Sequence, residues 1–225
     1  MNKVTLFAVV FLPLSPLHAA KGFYGNAMIG VASIGGENVT YARLGANSAG
    51  QTLPQGSPLT TTSAGGPSFS IQTGYSILAT IAPELKIAAH AVQLGDSANR
   101  VWSLHLLPGV RLFALGPWQR ELPKWLRPFD LSLAVGFGKS VQAQPLPPEN
   151  NAVGFDGFGL RYGMAIEYFA FRHVKFGLDY SMIRASYKTF IFNRNEGLTY
   201  PITPKARASH RQISFCLGLQ LDRAL

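Results

Sequence analysis

Residues 129–140 read FDLSLAVGFGKS, and that stretch decides the fold. Phe129, Leu131, Leu133, Val135 and Phe137 fall on one parity, and Asp130, Ser132, Ala134, Gly136 and Gly138 on the other. A period of two is the signature of a β-strand with two unlike faces. The second face is small or charged and the first is continuously bulky and apolar. Working outward, the same alternation recurs. In 67–78, PSFSIQTGYSIL, Phe69, Ile71, Thr73, Tyr75 and Ile77 oppose Ser68, Ser70, Gln72, Gly74 and Ser76. In 159–169, GLRYGMAIEYF, Leu160, Tyr162, Met164, Ile166 and Tyr168 oppose Arg161, Gly163, Ala165 and Glu167. In 211–221, RQISFCLGLQL, Ile213, Phe215, Leu217, Leu219 and Leu221 oppose Gln212, Ser214, Cys216, Gly218 and Gln220. Weaker versions run over 23–34, 84–95, 101–115 and 174–187, which makes eight strands.

A soluble sandwich or carrier barrel hides its bulky face and wets the other. Eight strands close into a barrel whose interior is just wide enough for side chains, and a lining of Gly, Ala and Ser with isolated charges suits that interior. The bulky face then points outward, at lipid. The expected fold is all-β, an eight-stranded antiparallel up-and-down transmembrane β-barrel with a side-chain-filled lumen.

Composition and the flanking segments agree. The 225 residues are 47% hydrophobic and only 14% charged, which excludes a disordered chain. No apolar run is long enough for a membrane helix. The formal charge of +9 would suit nucleic acid, but the basic residues are scattered singly, so no nucleic-acid partner is expected. Cys216 stands alone, which excludes an internal disulfide framework and a Cys-based zinc site. Asn2 and Lys3, the apolar run from Val4 to Leu14 and the small residues before Ala20 read as a cleaved signal peptide over 1–19, leaving 20–225 as the barrel domain. The connections alternate, long and short, except at Asp96–Arg100 and at Gly116–Pro128, the latter unusually long for its side. Long ones are expected at Gly35–Gly66, Gln144–Phe155 and Phe190–Ala208, and short ones at Thr80–Pro83 and Phe171–His173. The stretch 117–128, PWQRELPKWLRP, would be an interfacial turn carrying Trp118 and Trp125 at headgroup level, or else an ordinary surface loop.

Inward parity collects eight charged residues, Glu84, Lys86, Arg111, Asp130, Arg161, Glu167, Lys175 and Asp179, four of each sign. Buried charge must be paired, so these form a lumen charge network. A hairpin symmetric about Ser97 and Ala98 sets Glu84 opposite Arg111 and His90 opposite His105. Two imidazoles could bind a metal or sense pH, but without a third ligand they make a poor site. Hydrogen-bonded lumen histidines are the preferred reading, and neither a metal nor a cofactor is expected.

The segments WLRPFDLSLAVGFGKS (125–140) and SFCLGLQL (214–221) resemble the Pro-aromatic strand entry and the closing strand of small outer-membrane barrels of the OmpA, OmpX, OmpW and opacity-protein type. That resemblance spans about Lys21 to Leu221. It implies secretion across the inner membrane, a place in the outer membrane, and lipid and lipopolysaccharide as neighbours. Members end on an aromatic residue, whereas this chain ends Asp222-Arg223-Ala224-Leu225.

No catalytic residues are expected. Ser103 and His105 share a face, and Ser209 precedes His210, but a hydrolase needs the hydroxyl in reach of an oriented imidazole. The His-x-Ser pattern of the lipid A deacylases is not met at His210, where Gln212 stands at the second position. Arg184, Lys188, Arg194, Lys205, Arg207 and Arg211 flank or lie in the last long loop with Glu196 as their local counter-charge. They form a candidate anion-binding rim for the phosphates of lipopolysaccharide, or for another anionic surface or envelope partner. The expected role is structural or surface-binding. The alternatives are narrow porin-like transport, a lipid A-modifying enzyme and, off the membrane, a soluble ligand-carrying barrel.

Overall fold

The computed structural model describes residues 22–37, 65–77, 80–93, 100–118, 121–146, 151–171, 173–192 and 198–221. The expected signal segment 1–19, Arg194 and most of the connection between the first two strands lie outside them. Eight strands follow in order: β1 (Gly22–Glu37), β2 (Gly66–Ser76), β3 (Ile81–Gln93), β4 (Arg100–Phe113), β5 (Phe129–Leu146), β6 (Asn151–Phe169), β7 (Val174–Phe192) and β8 (Leu198–Gln220). Each pairs antiparallel with its sequence neighbour, and β1 pairs with β8, which closes the barrel and leaves no edge along the shared length of the strands.

The parity reading of the two faces holds. Outward positions carry exposed bulky residues around the whole wall, among them Phe23, Ile29, Phe69, Leu104, Leu133, Phe137, Ile166, Leu178 and Leu217. Inward positions are buried and mostly small or polar, including Ser68, Ser70, Gln72, Ser132, Ser140, Ser181, Gln212 and Ser214. This is the reverse of a soluble carrier. A wall of that character is the surface of a protein solvated by hydrocarbon, because in water it would expose apolar area far beyond an ordinary patch.

The two rims differ. At the rim bearing the first and last strand ends, short links join β2 to β3 and β6 to β7. There the β4–β5 connection folds into a compact turn, a short 3-10 helix over Gly116–Trp118 followed by backbone bonds from Leu126 and Arg127 to the Pro123 carbonyl. Arg127 Nε donates to the Leu122 carbonyl at 3.0 Å. Trp125 is exposed and Trp118 half-exposed on this turn.

At the opposite rim two expected loops are corrected. Residues 144–146 and 151–155 are strand, as are 190–192 and 198–208, so β5, β6, β7 and β8 rise past β4 and β1 as one four-stranded extension, with β6 and β7 paired out to Val153 and Phe192. The prolines there argued for loops by sequence. However, Pro145 pairs only across to β6 and Pro201 only across to β7, each in a stretch with a free edge where a missing N–H costs no ladder bond.

The register of β3 against β4 is also corrected. His90 faces Ser103 and His105 faces Ala88, while Glu84 faces Gly109 and Arg111 faces Ala82. The hairpin is centred one residue earlier than its sequence suggested, which shifts every pair by two. A two-residue shift leaves each side chain on its original face, so the inside and outside assignments survive.

Candidate functional site: two polar layers in the lumen

Seven of the eight predicted network residues are buried in the lumen. Glu84 is the hub. It accepts from Tyr24 Oη at 3.0 Å and Arg111 Nε at 3.0 Å, and from the Gln72 amide and one Arg161 guanidinium nitrogen. Arg111 reaches Gln72 Oε1 at 2.7 Å and Ser132 Oγ at 3.1 Å. Asp179 takes Lys86 Nζ at 2.7 Å, and Lys86 also donates to Ser181 Oγ at 2.8 Å. Glu167 takes Lys175 Nζ at 2.8 Å and lies 3.5 Å from Arg111. Asn26 donates to Glu167 at 3.1 Å, and the Cys216 thiol sits 3.7 Å from the same oxygen. Tyr24 packs its ring under two cations, Lys175 Nζ at 5.0 Å and the Arg111 guanidinium at 5.7 Å from its centroid.

Asp130 departs from the expected set. It stands at the foot of β5, in register with Glu167, and is half-buried rather than enclosed. The enclosed set is thus four cations against three carboxylates. Arg111 and Arg161 reconcile this by sharing partners: both contact Glu84, and both lie within 4 Å of Asp179 Oδ2, at 3.9 and 3.8 Å. Charges at this depth persist only when so cross-linked. The network is therefore a plug of interlocked side chains.

Nearer the other rim lies a second layer. The inward positions of β3 read His90, Ala88, Lys86, Glu84, so His90 lies above the charged plug. His105 and His210 join it, with ring centroids 5.1 Å from His90 to His105, 5.8 Å from His90 to His210 and 4.5 Å from His105 to His210. All three are buried. His105 Nδ1 pairs with Ser140 Oγ at 2.8 Å, Ser140 donates to Tyr187 Oη at 3.4 Å, and Tyr187 Oη pairs with His210 Nε2 at 3.2 Å. Sequence reasoning had paired His90 with His105 but left His210, Ser140 and Tyr187 out of the layer. Inward parity on β8, β5 and β7 was the available signal. What it lacked was the register that brings β8 round to the same level.

Neither candidate Ser–His pair forms. His105 turns to Ser140 rather than Ser103, and Ser209 and His210 point to opposite faces as adjacent strand residues must. The Ser140–His105 pair has no orienting carboxylate on His105 Nε2 among the described residues.

The basic residues at the far rim are strand residues rather than loop residues, because β7 and β8 extend through them. Arg184, Lys188, Arg207 and Arg211 are all exposed on the outer wall. Arg211 faces Met182, Arg184 faces Ser209 and Arg207 faces Ser186, and Lys188 sits at the β7–β8 irregularity between Tyr187 and Thr189. They begin where the apolar run of these two strands ends, since the next outward residues below are Ile213 on β8 and Met182, then Tyr180, on β7. Lys205 lies on β8 and its side chain, like all of Arg194, is outside the described set.

No protein-family model matches the chain, and no curated protein matches it. Among solved structures it is similar to the neisserial surface protein A, at a TM-score of 0.55 and 12% identity over 89% of this chain and 97% of that one. It is also similar to the outer membrane protein OprG from Pseudomonas aeruginosa, at 0.49 and 12% over 90% and 98%. The attachment invasion locus protein Ail of Yersinia pestis gives 0.43 and 9% over 88% and 99%. The likeness to the neisserial protein bears on the fold alone. That fold is the small eight-stranded outer-membrane barrel, and with its apolar wall the chain is built to sit in the outer membrane.

Proposed function

We propose that the protein is a non-conducting outer-membrane barrel with a structural and surface-binding role, and that Arg184, Lys188, Arg207 and Arg211 form a cationic collar for the phosphates of lipopolysaccharide. The observation that carries this reading is the position of the collar. Four exposed cations crowd two adjacent strands just beyond Ile213 and Met182, at the edge of the apolar run, where an outer leaflet presents its anionic headgroups. Guanidinium groups suit such a partner because they meet phosphate oxygens in a bidentate fork. The interlocked Glu84, Arg111, Arg161 and Asp179 support the non-conducting half of the reading, since a water path would have to part those ion pairs.

The test is retention of the folded protein, in detergent micelles, on immobilised lipopolysaccharide. Replacing the four cations with glutamine is expected to reduce retention by about tenfold or more, and parent retention should fall steeply with added salt. Equal retention of parent and variant would overturn the collar.

A further inference from the structure

The three-histidine layer has more ring nitrogens than hydrogen-bond partners. Among the described residues, His90 Nδ1 and Nε2, His105 Nε2 and His210 Nδ1 are buried without one. A buried polar atom left without a partner forfeits its hydration with nothing in return, so such a group calls for a ligand. The pattern of the satisfied nitrogens is the informative part. His105 is held through Nδ1 by Ser140 and His210 through Nε2 by Tyr187, and those two hydroxyls are themselves linked. One nitrogen of each of these two rings is thus tethered and the other is left over, and His90 has both left over. One ligand atom from each of the three rings lies within 4.8 Å of the others.

We infer that His90, His105 and His210 form a binding site for one divalent first-row metal ion of the zinc type inside the barrel. Imidazole nitrogens are the donors such ions prefer, and carboxylate-loving calcium or magnesium would find none here. Zinc–nitrogen bonds of about 2.0–2.1 Å put tetrahedral ligand atoms about 3.3 Å apart, so the rings need only close by modest side-chain rotation. His90, tethered by neither nitrogen, is the ring free to make that adjustment. Ser140 and Tyr187 act as the outer shell that orients two ligands. The register partner of His90 is Ser103, whose buried hydroxyl also lacks a partner among the described residues, and that hydroxyl or a water would take the fourth position. The metal serves here to tie β3, β4 and β8 together across the lumen, above the ion-pair plug.

The experiment uses the untagged mature chain, folded in detergent micelles, equilibrated separately with Zn2+, Ni2+ and Cu2+, freed of unbound ion and assayed for metal by mass spectrometry. The expected result is about one ion per chain for at least one of the three. H90A, H105A and H210A should each lose it, whereas H173A should keep it. Heat-dependent gel mobility verifies that every variant is folded. S140A and Y187F keep all three ligands and should bind the ion about 10–100-fold more weakly. A folded parent that binds none of the three ions stoichiometrically would overturn the site. So would full binding in a folded H90A/H105A/H210A triple variant, or affinity unchanged in both S140A and Y187F.

Discussion

Arg111 Nε lies 3.0 Å from Glu84 Oε2 although the two residues do not face each other across the β3–β4 ladder. Arg111 stands opposite Ala82, and Glu84 opposite Gly109. The bond runs diagonally, across positions whose own partners are too small to obstruct it. The plug is thus specified by side-chain length and by small neighbours as much as by register, and its members are expected to respond to substitution as a unit.

Glu84→Gln leaves Arg111 and Arg161 enclosed without the carboxylate they share. Breaking a buried pair this way costs about 3–5 kcal/mol, which equilibrium urea unfolding in liposomes would read directly. Asp156→Asn is the control. Its pair with Lys139 is a partly exposed contact on the outer wall, with side-chain exposures of 48% for Lys139 and 30% for Asp156. It should cost less than about 1 kcal/mol in the same assay.

Gly218 faces the lumen where a Cβ would touch Asn26 Oδ1 and come within 2.8 Å of Lys175 Cε. Gly218→Val therefore pushes against the Lys175–Glu167 pair. Overpacking of this kind costs about 1–3 kcal/mol, so the variant should fold but unfold at lower urea.

Leu217 lies in the middle of the outward apolar run of β8, between Phe215 and Leu219. Leu217→Arg should lower stability in a bilayer by about 2–4 kcal/mol, the cost of a cation near the midplane. Ile213→Arg, next to the collar, should cost no more than about 1 kcal/mol, because the headgroup region tolerates charge. A flat profile across the two sites would place the band elsewhere.

The plug also predicts electrical silence. Planar-bilayer recordings of the parent should show no discrete conductance steps. Regular steps from a homogeneous preparation would mean that the Glu84–Arg111–Arg161–Asp179 contacts part in the membrane, and the transport reading would take over.

Most of the fold was legible because a period of two is a strong local signal. The alternation in 129–140 and 211–221 fixed both faces before any pairing was known. The network was legible for the same reason, since parity alone places Lys86, Arg161, Glu167 and Lys175 inside. What parity cannot give is height along the barrel axis. That is why the His90–His105 pairing was off by two residues and why His210, distant in sequence, was missed as their neighbour. The hairpin extensions through Pro145 and Pro201 were illegible for a different reason. Proline argues against a strand only where both edges are paired, and neither of these stretches has two partners.

The bulky face meets lipid and the small polar face is packed inside. A nitroxide scan along β8 from residue 209 to 221, in liposomes, tests it most directly. The account predicts oxygen-dependent relaxation at odd positions from 213 to 221, relaxation by a water-soluble nickel complex taking over at 209 and 211, and little access by either reagent at Gln212, Ser214, Cys216 and Gln220. The nickel complex instead of oxygen reaching 215, 217 and 219, or access by either reagent at the even positions, would contradict it, the first by making the wall water-solvated and the second by turning the barrel inside out.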